Sequence, residues 1–288
     1  MSLSGMYRDN MNKLKLLLNI MRHTILDQMK QKSFMVIFII SGFFVLGIKN
    51  CYQGNYTVNA QQVDGAMVAL GVSKVMFNVV VTVAMIIAAL FSMRIIKSER
   101  LDGSQSTILS KPVSRYDYII GKMAGLWIVT FLFMFALHAV IFSIVFIKTG
   151  TAMPGYLFAS FMCSIDILFV VCFVMLLSLY LPDFASFIIV SAIGLFGYIG
   201  DGIYTVSQSR MVQDAFTGNA SKLPDISVWK IAYLALPKLS TAQLYASSFI
   251  SGESFNYAGP IHPMINIVLY CIFAIGLLLI LFRKQDIT

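Results

Sequence analysis

Long runs of apolar residues constrain this sequence more than any other feature. Several of them approach or exceed the roughly 20 residues that a helix needs to cross about 30 Å of hydrocarbon. Hydrophobic residues make up 58% of the 288 and charged residues only 12%, so a water-soluble fold could not divide them between core and surface. No run has the ten-residue alternation of a membrane β-barrel. The sequence therefore predicts an all-α membrane protein.

Six membrane-spanning helices can be drawn in one transmembrane domain that covers residues 1–288. Pro182 and Asp183 predict a tight turn at a membrane surface between the fourth and fifth spans. Spans one to five lie within 33–206, and 263–288 holds the sixth span and a tail. The spans cover about 33–50, 75–96, 123–148, 155–181, 184–206 and 263–282.

A basic amphipathic helix is predicted before the first span, over residues 10–32. Apolar residues recur there at steps of three and four, while basic residues lie off that stripe. Such a helix is typical of the interface of an anionic leaflet, so we expect an interfacial helix. The stripe consists of Leu14, Leu17, Leu18, Met21, Ile25 and Met29, and the basic residues are Lys13, Lys15, Arg22 and Lys30.

The positions of the lysines and arginines predict the orientation. With the N-terminus inside, fourteen of the 21 fall on the cytoplasmic side, as the positive-inside rule requires. Both termini and residues 97–122 are then cytoplasmic, residues 207–262 form an external loop, and the protein lies in the cell inner (plasma) membrane. This topology accounts for the net charge of +8 without nucleic acid as a partner.

A polar insert, residues 97–122, separates the second and third predicted spans. Glu99 and Asp102 continue the second helix into water, and Gly103 then breaks it. Pro112 ends the short helical piece that follows. The insert is therefore predicted to be a compact helical elbow that projects from the membrane, and we call residues 97–122 the elbow.

The elbow carries a pattern that can be written E-x-x-x-G, then L-x-x-P-x-S-R, then G-K. Together with six spans and the N-terminal helix, it resembles the membrane subunit of ABC transporters of the type-2 exporter class. The resemblance implies that the elbow is a coupling helix that docks into a separate ATPase. It also implies a second permease copy, either identical or a related chain. The residues of the pattern are Glu99, Gly103, Leu109, Pro112, Ser114, Arg115, Gly121 and Lys122.

A phosphate-binding loop is missing from the sequence. The only Gly-Lys pair, Gly121 and Lys122, is followed by Met123 and lacks the upstream glycine spacing. We therefore expect no catalytic residues, no metal site and no cofactor in this chain, which would not be an enzyme. The resemblance implies ATP and Mg on the partner ATPase, and the remaining expected partners are membrane lipids.

Two polar residues lie deep in the predicted spans. Asp166 is about eleven residues into the fourth span and His138 about ten from the outer end of the third, which puts both roughly 15 to 17 Å deep. An ionised Asp there costs about 2.5 to 3.5 kcal/mol, so it should be paired, protonated or beside a wet cavity. This possible pair could line a functional path through the membrane or form a structural hydrogen bond, and the sequence does not decide between the two. Asp201 lies near the outer end of the fifth span, among glycines that would permit close helix packing or an unwound end, and packing is the favoured interpretation.

The leading interpretation is an export permease driven by a partner ATPase, whose substrate is amphipathic, lipid-like or of a class that the sequence does not determine. The main alternative is an ion-coupled secondary transporter that uses Asp166 and His138 as a proton relay. That class usually has internal repeats, and no convincing repeat is present. An intramembrane enzyme fits less well because the three histidines are too scattered for H-E-x-x-H and no G-x-S-x-G occurs.

Overall fold

The computed structural model describes nine stretches of the chain, and almost all of their residues are helical. The predicted all-helical class is confirmed for the described residues apart from two very short strands. The described residues are 3–47, 57–58, 61–62, 65–97, 114–150, 152–207, 236–252, 254–255 and 261–284. Their helices are α1 (Leu3–Lys30), α2 (Lys32–Gly47), α3 (Gly65–Ser92), α4 (Arg115–Thr149), α5 (Pro154–Met162), α6 (Ser164–Ser178), α7 (Asp183–Ser207), α8 (Leu239–Ser251) and α9 (Pro263–Lys284).

Two very short strands are the exception to the helical structure. β1 (Thr57–Val58) pairs antiparallel with β2 (Gln61–Gln62), between the first and second spans. Two residues on each side make a turn rather than a sheet, because a stable sheet needs at least three strands with an apolar face. This hairpin does not change the fold class.

Five helical segments of the described chain are long and apolar enough to cross a membrane. A sixth crossing results if Leu14–Lys30 and Lys32–Gly47, which meet at 66°, are taken as one bent span. The structure therefore supports a multi-pass membrane protein with five to six candidate spans. The five are Val68–Lys97, Arg115–Thr149, Pro154–Ser178, Asp183–Gly202 and Pro263–Lys284.

The second half of the fourth span, α6, is the central helix of the bundle. It packs against α3, α4, α7 and α9, which between them come from four other spans. Along it Ile167, Val171 and Met175 are completely shielded from solvent. Apolar residues on every side of α6 therefore find packing partners in all directions around this helix.

The fourth span is irregular at Cys163, between α5 and α6. The backbone N–H of Asp166 bonds back to the Cys163 carbonyl at 3.2 Å, which is a tighter turn than an α-helix makes. Trp127 of α4 donates its indole N–H to the Ser164 carbonyl at 2.8 Å. This donor from the neighbouring span holds the irregularity in place.

Candidate functional site

Most of the elbow lies outside the described residues. Glu99, Gly103, Leu109 and Pro112 all fall there, so their place in a coupling helix stays a prediction. The structure does describe the residues from which the elbow leaves the bundle and to which it returns. We call these residues, Lys97 at the end of the second span and Ser114–Arg115 at the start of α4, the two roots of the elbow.

The second root begins with a well-formed helix cap. The Ser114 hydroxyl oxygen accepts from the backbone N–H of Asp117 at 3.0 Å and donates to the Asp117 carboxylate at 2.7 Å. Such a cap satisfies one of the N–H groups that a helix start leaves free, and the carboxylate also lies at the positive end of the helix dipole. The S-R part of the sequence pattern therefore has a structural role, which is to start α4.

Arg115 ties the second root to the end of the last span. Its guanidinium donates to the backbone carbonyl of Arg283 at 3.1 Å. Behind it, the rings of Tyr118 and Phe282 stack with their centroids 6.0 Å apart, and both side chains are buried. A cation that binds the last carbonyls of a helix is favoured by the helix dipole. α4 and α9 are thus joined where both meet the elbow side of the membrane.

Lys97 ties the first root to the turn between the fourth and fifth spans. Its ammonium lies 3.1 Å from Oδ1 of Asp183, in the geometry of an ion pair rather than an aligned hydrogen bond. It also donates to the Leu181 carbonyl at 2.6 Å. Each root of the elbow is therefore fastened to a different part of the bundle.

Gly121 forms a close contact between α1 and α4. A Cβ at Gly121 would lie 2.8 Å from Cγ2 of Ile20, and a Cβ at Gly125 would lie 2.7 Å from Cβ of Thr24. Two glycines four residues apart let helix backbones approach in this way. The resemblance assigned Gly121 to coupling, whereas the structure shows it packed against the N-terminal helix. Its spacing from Gly125 is a signal that the sequence interpretation missed.

Lys122 is not part of an exposed docking surface in the described chain. Its side chain is 5% exposed, and its ammonium lies 6.0 Å from the centre of the Tyr118 ring. A cation over an aromatic face is stabilised by the ring quadrupole. Of the eight pattern residues, the four that the structure describes are thus a helix cap, an anchor and two packing residues.

His138 lies in an enclosed pocket of aromatic rings. It stacks on Phe77 at 4.7 Å between centroids, and Tyr156 meets it edge-on at 5.4 Å. Nδ1 is 2.8 Å from the Ser160 hydroxyl, and Nε2 is 3.4 Å from the Phe77 carbonyl. Because that carbonyl can only accept, the ring proton belongs on Nε2 and Nδ1 accepts from Ser160. Both nitrogens of His138 are thereby used within the bundle.

Asp166 is fully buried and does not hydrogen-bond to His138. Among the described residues, no hydrogen bond of normal geometry reaches either carboxyl oxygen, although the Cys163 thiol lies close enough to interact. Asp166 lies just after the irregularity at Cys163, within the fourth span. The matched depth of the two residues therefore does not bring them into direct contact.

A polar network that the sequence interpretation did not single out joins three other elements. The Tyr198 hydroxyl of α7 donates to Oε1 of Gln243 in α8 and lies 3.1 Å from the Thr82 hydroxyl of α3. The Gln243 amide also faces the Met85 sulfur at 3.7 Å. The sequence did offer one signal for this network, because Gln243 is the one glutamine in a helix of mostly small residues.

Asp201 acts as a helix cap, a role that the interpretation of its neighbouring glycines as packing residues did not predict. Its carboxylate accepts from the backbone N–H of Thr241 in the first turn of α8 at 3.1 Å. Lys238, just before α8 and outside the candidate spans, is nearby. Burial lowers the pKa of Lys238 to about 8, and the Asp201 charge acts in the opposite direction.

α8 belongs to the predicted 207–262 loop, yet Leu239, Ala242 and Ala246 are buried against the spans.

An apolar cavity of about 340 Å³ lies between the second, fourth and fifth spans. Met85, Phe187 and Leu195 form part of its wall, while the hydroxyls of Thr82 and Tyr198 supply a polar end. The cavity therefore offers an apolar chamber beside the Tyr198 network, and it can hold a group of apolar character with one polar end.

Comparison with known families adds a match over nearly the whole chain. A family model described as ABC-2 family transporter protein matches residues 18–287. The matched region begins within α1, includes both roots of the elbow and extends past the end of α9. The comparison with curated proteins gives no match.

Proposed function

Because the chain belongs to the ABC-2 transporter family, we propose that this permease exports its substrate and is driven by a separate ATPase subunit. Membrane subunits of this family work with a separate ATP-binding component. The observation that carries the proposal is the fastening of both elbow roots, through Lys97 and Arg115. A segment held at both ends transmits a displacement, whereas a free linker absorbs it.

The contacts of the two roots define how a push on the elbow spreads through the bundle. Through Lys97 it reaches the start of α7, because the ammonium holds Asp183 and the Leu181 carbonyl. Through Arg115 it reaches the end of α9. Tightly packed helices move as units rather than deform, so a shift of the elbow tilts spans relative to each other.

The chemistry of ATP belongs to the partner in this proposal. The chain has no phosphate-binding loop, so ATP and Mg would bind the ATPase subunit and this subunit would supply the path. A second permease copy, identical or related, would face the first. In α7, Phe184, Leu195 and Phe196 are each at least 60% exposed, which offers an apolar face to that copy or to lipid.

The substrate class is proposed from the apolar cavity. Its wall is mostly aliphatic and aromatic, and the polar side chains that line it are the hydroxyl residues Thr82, Ser191 and Tyr198. Such a lining favours an amphipathic, lipid-like molecule over an ion or a sugar. Secondary transport through Asp166 and His138 is not favoured, because His138 spends both nitrogens on Ser160 and Phe77.

The proposal is tested by reconstituting the chain in liposomes with a candidate ATP-binding cassette ATPase subunit. We expect the ATP hydrolysis rate of the complex to rise with substrate in the wild type and not in a Gly103→Val, Glu99→Lys double variant. The matched control is Lys15→Gln with Arg22→Gln, which changes charges on α1 and leaves the elbow intact. Full stimulation in the elbow variant would sink the proposal.

A further inference from the structure

The bend between α1 and α2 forms one wall of a polar cavity at the membrane surface. We propose that this cavity binds a phosphate-bearing anion, and that its occupant is the headgroup of an anionic phospholipid. This cavity lies apart from the apolar cavity and shares only Lys97 with the elbow, and lipid binding to it does not depend on an ATPase.

The cavity exists because the chain turns by 66° at Gln31. Gln31 is the one residue between the two helices, and its backbone N–H bonds to the Gln28 carbonyl at 3.2 Å. The space of about 440 Å³ is closed by the end of the second span and by Asp183 at the start of the fifth. Its polar lining includes Gln28, Gln31, Lys32, Ser33, Arg94 and Lys97.

The charges around this cavity favour an anion. Lys97 and Asp183 form an ion pair at 3.1 Å and so offset each other. Lys32 and Arg94 have no carboxylate partner among the residues that the structure describes, which leaves two positive charges at the cavity. An Arg guanidinium presents a planar fork that matches two phosphate oxygens, and a Lys ammonium adds a second charge.

Gln28 supplies a second, independent observation. Its side chain lines the cavity, is only 5% exposed, and has an Oε1 atom with no hydrogen-bond partner in the described chain. Buried amide groups in proteins are nearly always paired, so this amide calls for a ligand or water. A headgroup hydroxyl can donate to the Gln28 amide oxygen, and the phosphate oxygens can accept from the Gln28 amide N–H groups.

The position of the cavity favours a lipid over a soluble phosphate. It lies where the second span ends and the fifth begins, which is the depth of lipid headgroups. Phe91 and Leu90 form its apolar side, and Met35 and Val36 of α2 are exposed just beyond the bend. A phosphate bound here would have its acyl chains beside those residues. Basic pockets between spans are a known way for membrane proteins to bind anionic headgroups.

The experiment measures lipid binding to the purified full-length chain in detergent, without any ATPase. Native mass spectrometry gives the affinity for phosphatidylglycerol, for phosphatidylcholine and, in a separate arm, for inorganic phosphate. We expect phosphatidylglycerol to bind at least about tenfold more weakly to a Lys32→Gln, Arg94→Gln variant. The matched control, Lys15→Gln with Arg22→Gln, removes the same charge from α1 and should bind within about twofold of the wild type.

Two further measurements distinguish the proposed site from a folding defect and from a different ligand. Arg94→Lys keeps the charge but loses the planar fork, so it should weaken phosphatidylglycerol binding less than Lys32→Gln with Arg94→Gln does, which separates the loss of charge from a loss of folding. Equal weakening in the cavity and control variants would overturn the site in favour of diffuse surface attraction. Inorganic phosphate that binds as tightly as phosphatidylglycerol would overturn the lipid as its occupant.

Discussion

The Asp201 carboxylate caps a helix in another part of the chain, because Oδ2 accepts from the backbone N–H of Thr241 at 3.1 Å. Just before that helix, the backbone N–H of Lys238 donates to the side chain of Asn266 at 3.2 Å. The residue at the start of α8 makes no side-chain cap of its own. α8 is therefore held between the spans by acceptors from α7 and α9.

Replacing Asp201 should loosen α8. We expect Asp201→Ala to lower the free energy of unfolding by about 1 to 2 kcal/mol, since it removes a buried cap, and Asp201→Asn to lower it less because it keeps an acceptor. Thermal unfolding in detergent gives the stability, and hydrogen exchange of residues 239–242 locates the change. Asp27→Ala, on the exposed side of α1, is the control. Equal losses in Asp201→Ala and Asp27→Ala would contradict the capping role.

Lys238 gives the protein a pH dependence of defined sign. Its folded pKa of about 8 lies below the 10.5 of the free side chain, so between these values the unfolded chain holds more protons. The free energy of unfolding should therefore rise as the pH increases from about 8 to 10.5, and Lys238→Gln should flatten that rise. Denaturation measured at several pH values checks this, with Lys148→Gln as the exposed control. An unchanged slope in Lys238→Gln would contradict the prediction.

The contact between Gly121 and Ile20 predicts a specific steric defect. Gly121→Ala would bring a methyl group to 2.8 Å from Cγ2 of Ile20, so we expect a loss of about 1 to 3 kcal/mol. Adding Ile20→Ala should restore part of it. Gly276→Ala is the control, because nothing lies within 4 Å of a Cβ there. Thermal unfolding of these three variants and the wild type measures the effect, and failure of Ile20→Ala to compensate would place the defect elsewhere.

His138 and Asp166 should behave as independent sites. No hydrogen bond joins them, and His138 is bonded to Ser160 instead. The changes His138→Gln and Asp166→Asn should then be additive in stability within about 0.5 kcal/mol. A double-mutant cycle by thermal unfolding measures this. A coupling of about 1 kcal/mol or more would restore the paired arrangement that their equal depth suggested.

Hydrocarbon thickness explains why the sequence located the spans and did not locate the polar contacts. Apolar run length must match the membrane, so the third span was predicted at 123–148 within the observed Arg115–Thr149. The depth of a residue in the membrane can also be predicted from its position along a span. The direction in which its side chain points around the helix axis cannot. His138 and Asp166 therefore matched in depth and still have different surroundings. The role of Gly121 depends on which helix lies against it, and that is decided by the whole bundle.

The last prediction concerns the ion pair that fastens the first root of the elbow. Lys97 and Asp183 are each about one-third exposed, and surface pairs of this kind contribute only about 0 to 1 kcal/mol to stability. Lys97→Met should therefore insert and unfold almost as the wild type does. If the root transmits movement to α7, however, the ATP hydrolysis of the complex should lose most of its stimulation by substrate.

A charge exchange separates the ion pair from the individual side chains. Asp183→Lys alone places two cations together and should impair stimulation, while Lys97→Asp with Asp183→Lys restores the opposite charges and should recover part of it. Arg22→Met serves as the matched control, because it removes a cation from α1 without touching either root. The measurement is the substrate-stimulated ATPase rate of the reconstituted complex, with insertion checked by purification yield. Normal stimulation in Lys97→Met would show that the elbow passes its movement to the spans through its helical connections alone.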